Sequence, residues 1–402
     1  MSSRPARALL LALLAAVLIL PAPARAADRV CDRGVPDSPT EGDDPDPADD
    51  PVAGVLQLEQ AHTLSRGDGV GIAVVDSGVD TSAGYAGMEE HVVRGQKELQ
   101  DGHGTIVAGL AAGSRGVAPG AHIVSVRVTD SAETTDEEGK TSTETSMEAQ
   151  NVTAAIRWLV DSGMDKFGVR VINLSLGFER RDAGLEAAIN DALDAGMVVV
   201  VAAGNRTEDR VRRRPIPPSE VLFPARMDRV IATTALNADL SMTRDAMLVG
   251  EEIDVSAPIW GAQSRMITGL DCEIGDAGSS WAAPEVSGLA ALILEQDPTL
   301  TPAQVKTRIE VTASGAYHDI ASDGHGMIQP YEALTADLEI KKDGTLVEAR
   351  PPETPPYEAT EPRARHDDFE DSRQTMLWWG IGAGGALLAA LMLGPLLGRR
   401  TR

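Results

Sequence analysis

Four short stretches each set one polar side chain among small residues. They are Val75-Asp76-Ser77-Gly78, Asp101-Gly102-His103-Gly104-Thr105, Ala202-Ala203-Gly204-Asn205 and Gly278-Ser279-Ser280-Trp281-Ala282-Ala283-Pro284. Together these side chains supply the groups that acyl transfer needs. Ser280 is a weak nucleophile at neutral pH and needs a base within hydrogen-bond reach. His103 suits that task, because imidazole titrates near the working range. The imidazole must be held in one tautomer and stabilised once charged, which suits a buried carboxylate, Asp76. Attack on a carbonyl puts negative charge on its oxygen, and the Asn205 amide and the Ser280 backbone N–H are the candidate donors to it. Singly, each residue has a bland reading: a turn aspartate, a loop histidine, a turn asparagine, a helix N-cap. Those readings do not predict that all four occur in this order.

The flanking patterns place these residues. Val70–Val75 is an apolar run bounded by glycines and reads as a buried strand with Asp76 at its carboxyl end. Met197–Ala202 is a second such run and delivers Asn205 through Gly204. Ser280 opens a helical stretch, Trp281–Glu295, with Pro284 in the first turn, where proline is tolerated. Further strands are expected at His122–Val128, Val169–Leu174 and Arg229–Thr234, and a helix between Met147 and Val160. This alternation predicts an α/β fold of three layers, a mainly parallel sheet between helices. Open sheets of that kind place their sites at the carboxyl ends of the strands.

The Asp, His, Ser order and the four motifs resemble the subtilases, over about Leu58 to Leu334. The resemblance extends to Gly116-Val117-Ala118-Pro119-Gly120-Ala121, Asn173-Leu174-Ser175-Leu176-Gly177, Phe223-Pro224-Ala225 and Val255-Ser256-Ala257-Pro258. It implies a subtilisin-like peptidase with catalytic Asp76, His103 and Ser280 and oxyanion donor Asn205. It implies that Ser175, Leu176 and Gly177 bind an extended peptide as an added strand; an ordinary strand end is the alternative there. Ile106 after the histidine motif and the segment Gly324–Leu334 are similar to the mycosins, the membrane-anchored proteases associated with type VII secretion in actinobacteria. Mycosins often carry more cysteines than the two here.

Both ends read as targeting segments. Residues 1–26 have basic Arg4 and Arg7, an apolar run and Ala24-Arg25-Ala26, the pattern of a cleaved signal peptide. Residues 27–57 form an acidic extension rich in aspartate and proline, and 335–375 an acidic, proline-rich linker. Between them lies the peptidase domain, 58–334. Residues 376–397 carry no charge and can cross a bilayer at about 1.5 Å per residue. Arg399, Arg400 and Arg402 in the tail 398–402 argue for a cytoplasmic C-terminus and a protease domain outside. Cys31 and Cys272 are the only cysteines. Both lie outside the reducing cytoplasm in this topology, so a disulfide between them is expected, with an intermolecular bridge or two free thiols as alternatives.

The formal charge of −25 argues against nucleic acid as a partner. No cofactor is needed for this chemistry. Thr129–Thr145 is a polar, acidic insertion that lacks the glycine and ligand spacing of a calcium loop, so no metal is assigned. The expected partners are protein or peptide substrates, the membrane through one C-terminal helix and, from the mycosin resemblance, components of a membrane secretion complex. The expected function is an extracytoplasmic serine endopeptidase that processes secreted substrates of a type VII secretion system and stabilises it. A general cell-envelope subtilase and a mainly structural subunit of a secretion complex are the alternatives.

Overall fold

Seven strands form one parallel sheet. In chain order they are β1 (Gly71–Asp76), β2 (Glu89–Val92), β3 (His122–Arg127), β4 (Val169–Leu174), β5 (Val198–Ala202), β6 (Ile231–Leu236) and β7 (Val255–Pro258). Their spatial order is β2-β3-β1-β4-β5-β6-β7, and each neighbouring pair is parallel. The order reverses at β1, so the carboxyl ends of β1, β4 and β5 border a crevice at the switch point. The computed structural model describes residues 29–33, 45, 50–95, 98–129, 133–135, 141–143, 147–206, 219–241, 245–267, 269–315 and 322–349. These belong to one unit, Met1–Arg350, while the second unit, Pro351–Arg402, lies outside them. Residues 1–26 and the uncharged segment 376–397 are likewise outside; among the described residues no helix is long and apolar enough to cross a membrane.

The valine-rich runs become strands because both of their faces are covered. β1, β5 and β6 are buried at every position. Ile72 and Val74 of β1 join one core layer with α1 (His103–Ala112) and α4 (Ser279–Gln296). Ala73 and Val75 turn to the opposite layer, packed by α2 (Ala149–Trp158) and α3 (Ala183–Asp194). A fifth helix, α5 (Pro302–Thr312), starts with a capping box built by Thr301 and Gln304. The expected strand Val169–Leu174 coincides with β4, and the other expected strands differ from the observed ones by one or two residues at their ends. β2 lacks an apolar signature, since it is an edge strand with exposed side chains. The insertion after β3 is described only at 133–135 and 141–143, which pair as an antiparallel hairpin.

The acidic extension contributes more than its composition suggests. Val52 and Leu56 are buried in the α1–α4 core layer, on a short helix capped by Asp50. Residues further upstream join the hairpin of Gln263–Arg265 and Asp271–Glu273: Val30 bridges Glu273 in parallel, and Cys31 forms a disulfide with Cys272. The intramolecular pairing is therefore the one the chain adopts.

All ten residues of α1 are buried, and α1 packs directly against α4. That approach needs a residue without a side chain at Gly288. A Cβ there would lie 2.7 Å from Val117 Cβ and 2.9 Å from the Ala111 carbonyl oxygen. Gly288→Ala is therefore expected to destabilise the fold by about 1–3 kcal/mol. A thermal melt checks this, and an unchanged midpoint would mean that the two helices do not need this distance.

Candidate active site

Asp76 ends β1 and His103 begins α1. The Asp76 Oδ1 atom lies 2.8 Å from His103 Nδ1 and also accepts the Ser77 backbone N–H at 2.8 Å. Burial opposes ionisation of Asp76. The His103 imidazole outweighs it through charge and hydrogen bond, helped by the Ser77 N–H and the Arg33 charge, and the carboxyl is held below its ordinary range. Its anion therefore persists at neutral pH. With Nδ1 engaged, Nε2 is the ring nitrogen left to take a proton. The Trp281 ring lies over the imidazole, centroid to centroid 4.8 Å.

The turn before His103 is tied down on every side. Asp101 Oδ1 accepts the His103 backbone N–H at 2.8 Å. Ser77 Oγ donates to the Asp101 carbonyl at 2.9 Å and accepts from the Gly104 N–H at 3.1 Å. Gly104 passes so close to the Gly78 carbonyl and to Asp76 that a Cβ would collide. The small residues around the catalytic side chains thus serve close backbone approach.

Ser280 lies in the first turn of α4, which begins at Ser279, two residues before the expected start. Pro284 consequently sits two residues deeper than expected, past the first turn and inside the helix. Proline has no N–H, so the Ser280 carbonyl, four residues earlier, loses its helical partner. Ser175 Oγ replaces it, donating to that oxygen at 2.7 Å. Ser175 Oγ in turn accepts from Asn173 Nδ2 at 3.0 Å, and Asn173 Oδ1 accepts from Ser287 Oγ of α4 at 2.9 Å. The carboxyl end of β4 and the start of α4 are locked together by this chain.

Asn205 follows β5 through Gly204. Its Oδ1 accepts both the Ser279 N–H at 2.8 Å and the Ser279 hydroxyl at 2.9 Å, and Ser279 Oγ accepts from the Gly204 N–H at 3.0 Å. With Oδ1 committed to these donors, Nδ2 is the atom free to serve an oxyanion. Asp76, His103, Ser175, Leu176, Gly177, Asn205 and Ser280 line one cleft of about 480 Å³. The residues assigned from sequence therefore converge on one place.

Sequence reasoning assigned no role to Ser279, Ser77 or Asp101, although all stand within the motifs. It also missed Leu222, which precedes Phe223-Pro224-Ala225. The Leu222 N–H donates to Ala203 O, while Phe178 and Phe223 exchange backbone bonds, so this segment spans both walls of the cleft. The Leu222 side chain fills the space between Gly177 and Gly204; a Cβ on either glycine would approach it within 2.7–2.8 Å.

The profile of the subtilase family, Peptidase_S8, matches residues 67–337. The chain belongs to the subtilase family. Subtilisin NAT of Bacillus subtilis subsp. natto is 35% identical over 275 residues, 65% of each chain. This subtilase thus spans about 65% of the length of that Bacillus relative. Mycosin-1 of Mycobacterium tuberculosis is 32% identical over 326 residues, covering 70% of this chain and 72% of the relative. The crystal structure of MycP1 from the ESX-1 type VII secretion system superposes with a TM-score of 0.60 at 26% identity, over 82% of this chain and 94% of MycP1. The MycP3 protease of the ESX-3 system gives 0.57 at 26% identity, over 78% and 95%. The subtilase is therefore mycosin-like.

The Ser175 hydroxyl is the donor that substitutes for the missing Pro284 N–H. Ser175→Ala should leave the Ser280 carbonyl unpaired, cost about 1–3 kcal/mol of stability and lower turnover. Thermal unfolding and kcat of the variant check both effects. Wild-type values in each would show that the bond is dispensable.

Proposed function

We propose that this subtilase is a mycosin-like serine endopeptidase of the cell envelope. It is held by one C-terminal membrane helix with its protease domain outside, and it processes secreted proteins of a type VII secretion system and stabilises that system. The observation that carries the enzymatic reading is the convergence of the Asp76–His103 hydrogen bond, Ser280 and the Ser279-oriented Asn205 amide on one cleft. In the reaction, Ser280 Oγ attacks the scissile carbonyl as its proton passes to His103 Nε2. Negative charge then collects on an oxygen facing Asn205 Nδ2 and the Ser280 N–H. Collapse expels the amine, which takes the proton from His103, and water repeats the sequence on the acyl-enzyme. The likeness to Mycosin-1, MycP1 and MycP3 supports the secretion-system setting. The uncharged run 376–397 and the arginines after it support the anchor.

A peptide laid along Ser175-Leu176-Gly177 directs the side chain before the scissile bond between the 175–177 and 202–204 segments. Leu222 lies against both glycines there and lines the cleft, which leaves less room for a large side chain. Small residues such as alanine are therefore preferred there.

Two experiments test this reading. Fluorophosphonate should label the purified full chain at Ser280, and Ser280→Ala should abolish labelling and turnover while leaving the melting temperature unchanged. Normal turnover by the alanine variant contradicts the assignment. On a peptide series varied at the residue before the cleaved bond, the wild type should favour alanine over phenylalanine by about 10- to 100-fold in kcat/KM. Leu222→Gly should erase or invert that preference. A wild-type preference for phenylalanine contradicts the role given to Leu222.

A further inference from the structure

The extended segment 29–33, bridged to Glu273 at Val30, reaches the catalytic cleft at Arg33. Its first part is sewn to the hairpin: Cys31 N–H donates to Glu273 O at 2.9 Å, and Glu273 N–H donates to Arg29 O at 2.9 Å. The Cys31–Cys272 disulfide clips the same point. The hairpin rests on α1, where Ser264 Oγ donates to the Ile106 carbonyl at 2.7 Å. Beyond the clip, Arg33 meets the turn that carries His103. The Gly102 N–H donates to Arg33 O at 2.6 Å, and a Cβ on Gly102 would stand 3.1 Å from that oxygen. The Arg33 guanidinium grips Asp101 with both arms, Nη2 to Oδ2 at 2.6 Å and Nε to Oδ1 at 3.2 Å. Asp101 is 4% exposed at its side chain and Arg33 45%, and both line the cleft beside His103 and Ser280.

We propose that Arg33 is a positioning residue for His103, so that the N-terminal extension is a working part of the active site rather than a removable arm. This rests on the peptidase reading above. Arg33 has two effects. Its fork and its carbonyl fix the Asp101–Gly102 turn, and Asp101 passes that order on through the His103 N–H. Its charge also helps to keep Asp76, the partner of the imidazole, ionised. Asp76 bonds the His103 ring, Asp101 accepts the His103 backbone N–H, and Arg33, from the N-terminal strap, grips Asp101. Without Arg33, the Asp101 carboxylate loses that fork and the turn before His103 loses its outer clamp. A small shift of the histidine also takes Nε2 out of line with the nucleophile, where about 1 Å can cost roughly 100-fold.

The test compares the full chain with Arg33→Ala, Arg33→Lys and the double variant Arg33→Ala with Asp101→Asn. Readouts are fluorophosphonate labelling rate, kcat, KM and melting temperature. Arg33→Ala is expected to lower kcat and labelling rate by about 10- to 100-fold with little change in KM. Arg33→Lys keeps the charge but loses the fork, so kcat should fall part-way with KM unchanged; this holds even if the alanine variant fails to fold. The double variant should lower kcat little further than Arg33→Ala alone, because both residues act through the same turn. A residue that only braces the fold would lower the melting temperature without lowering kcat or the labelling rate. That result, or an Arg33→Ala enzyme with wild-type kcat and labelling rate, overturns the inference. A wild-type chain that the probe does not label overturns the peptidase reading itself, and the strap's role with it.

Discussion

The hydrogen bond between Asp76 and His103 is the constraint on which the other features depend. It joins the end of a central strand to the start of a buried helix, and it needs an anion in a place that burial makes unfavourable for charge. An uncompensated carboxylate there would take up a proton. The imidazole, the Ser77 N–H and the charge of Arg33 together keep it ionised. The surrounding architecture follows from that need. β1 must be covered on both faces, α1 must begin where β1 ends, and the turn before α1 must be rigid enough to hold the ring within hydrogen-bond distance.

A second requirement is that Ser280 meet this pair from a different helix. α1 and α4 can approach only because small residues line their contact, Gly288 above all. Polar links then fix the rotation of α4. Ser175 answers the carbonyl that Pro284 leaves open, Asn173 joins Ser175 to Ser287, and Ser279 aims the amide of Asn205. Ser175, Asn173, Ser279 and Ser287 are buried, where an unpaired polar atom would be costly. The same bonds that satisfy them also set the geometry of the cleft.

Much of this was legible in the sequence, for identifiable reasons. β1 and β5 announce themselves because strands buried on both faces read as apolar runs. The polar residues at their ends stand out against glycine and alanine. Leu222 and Arg33 do not stand out, because their importance comes from chain segments brought together only in the fold. β2 is hidden for the opposite reason: an edge strand faces solvent and carries charges. Pro284 was placed too early because its usual tolerance in a first turn concealed a partner, Ser175, that lies far away in sequence. The extension reads as a polar arm by composition, yet Val52 and Leu56 are enough to seat it on the core.

The most direct measurement is a crystal structure of the full chain with a peptidyl boronate bound at Ser280. The boron adduct reproduces the tetrahedral centre of acyl transfer. The expected result is one boronate oxygen within hydrogen-bond distance of Asn205 Nδ2 and the Ser280 N–H, and His103 Nε2 beside the other. The peptide should pair with the backbone of 175–177, with its terminal side chain on Leu222. A covalent adduct whose oxygen points away from Asn205, or an inhibitor that leaves Ser280 unmodified, would contradict the account.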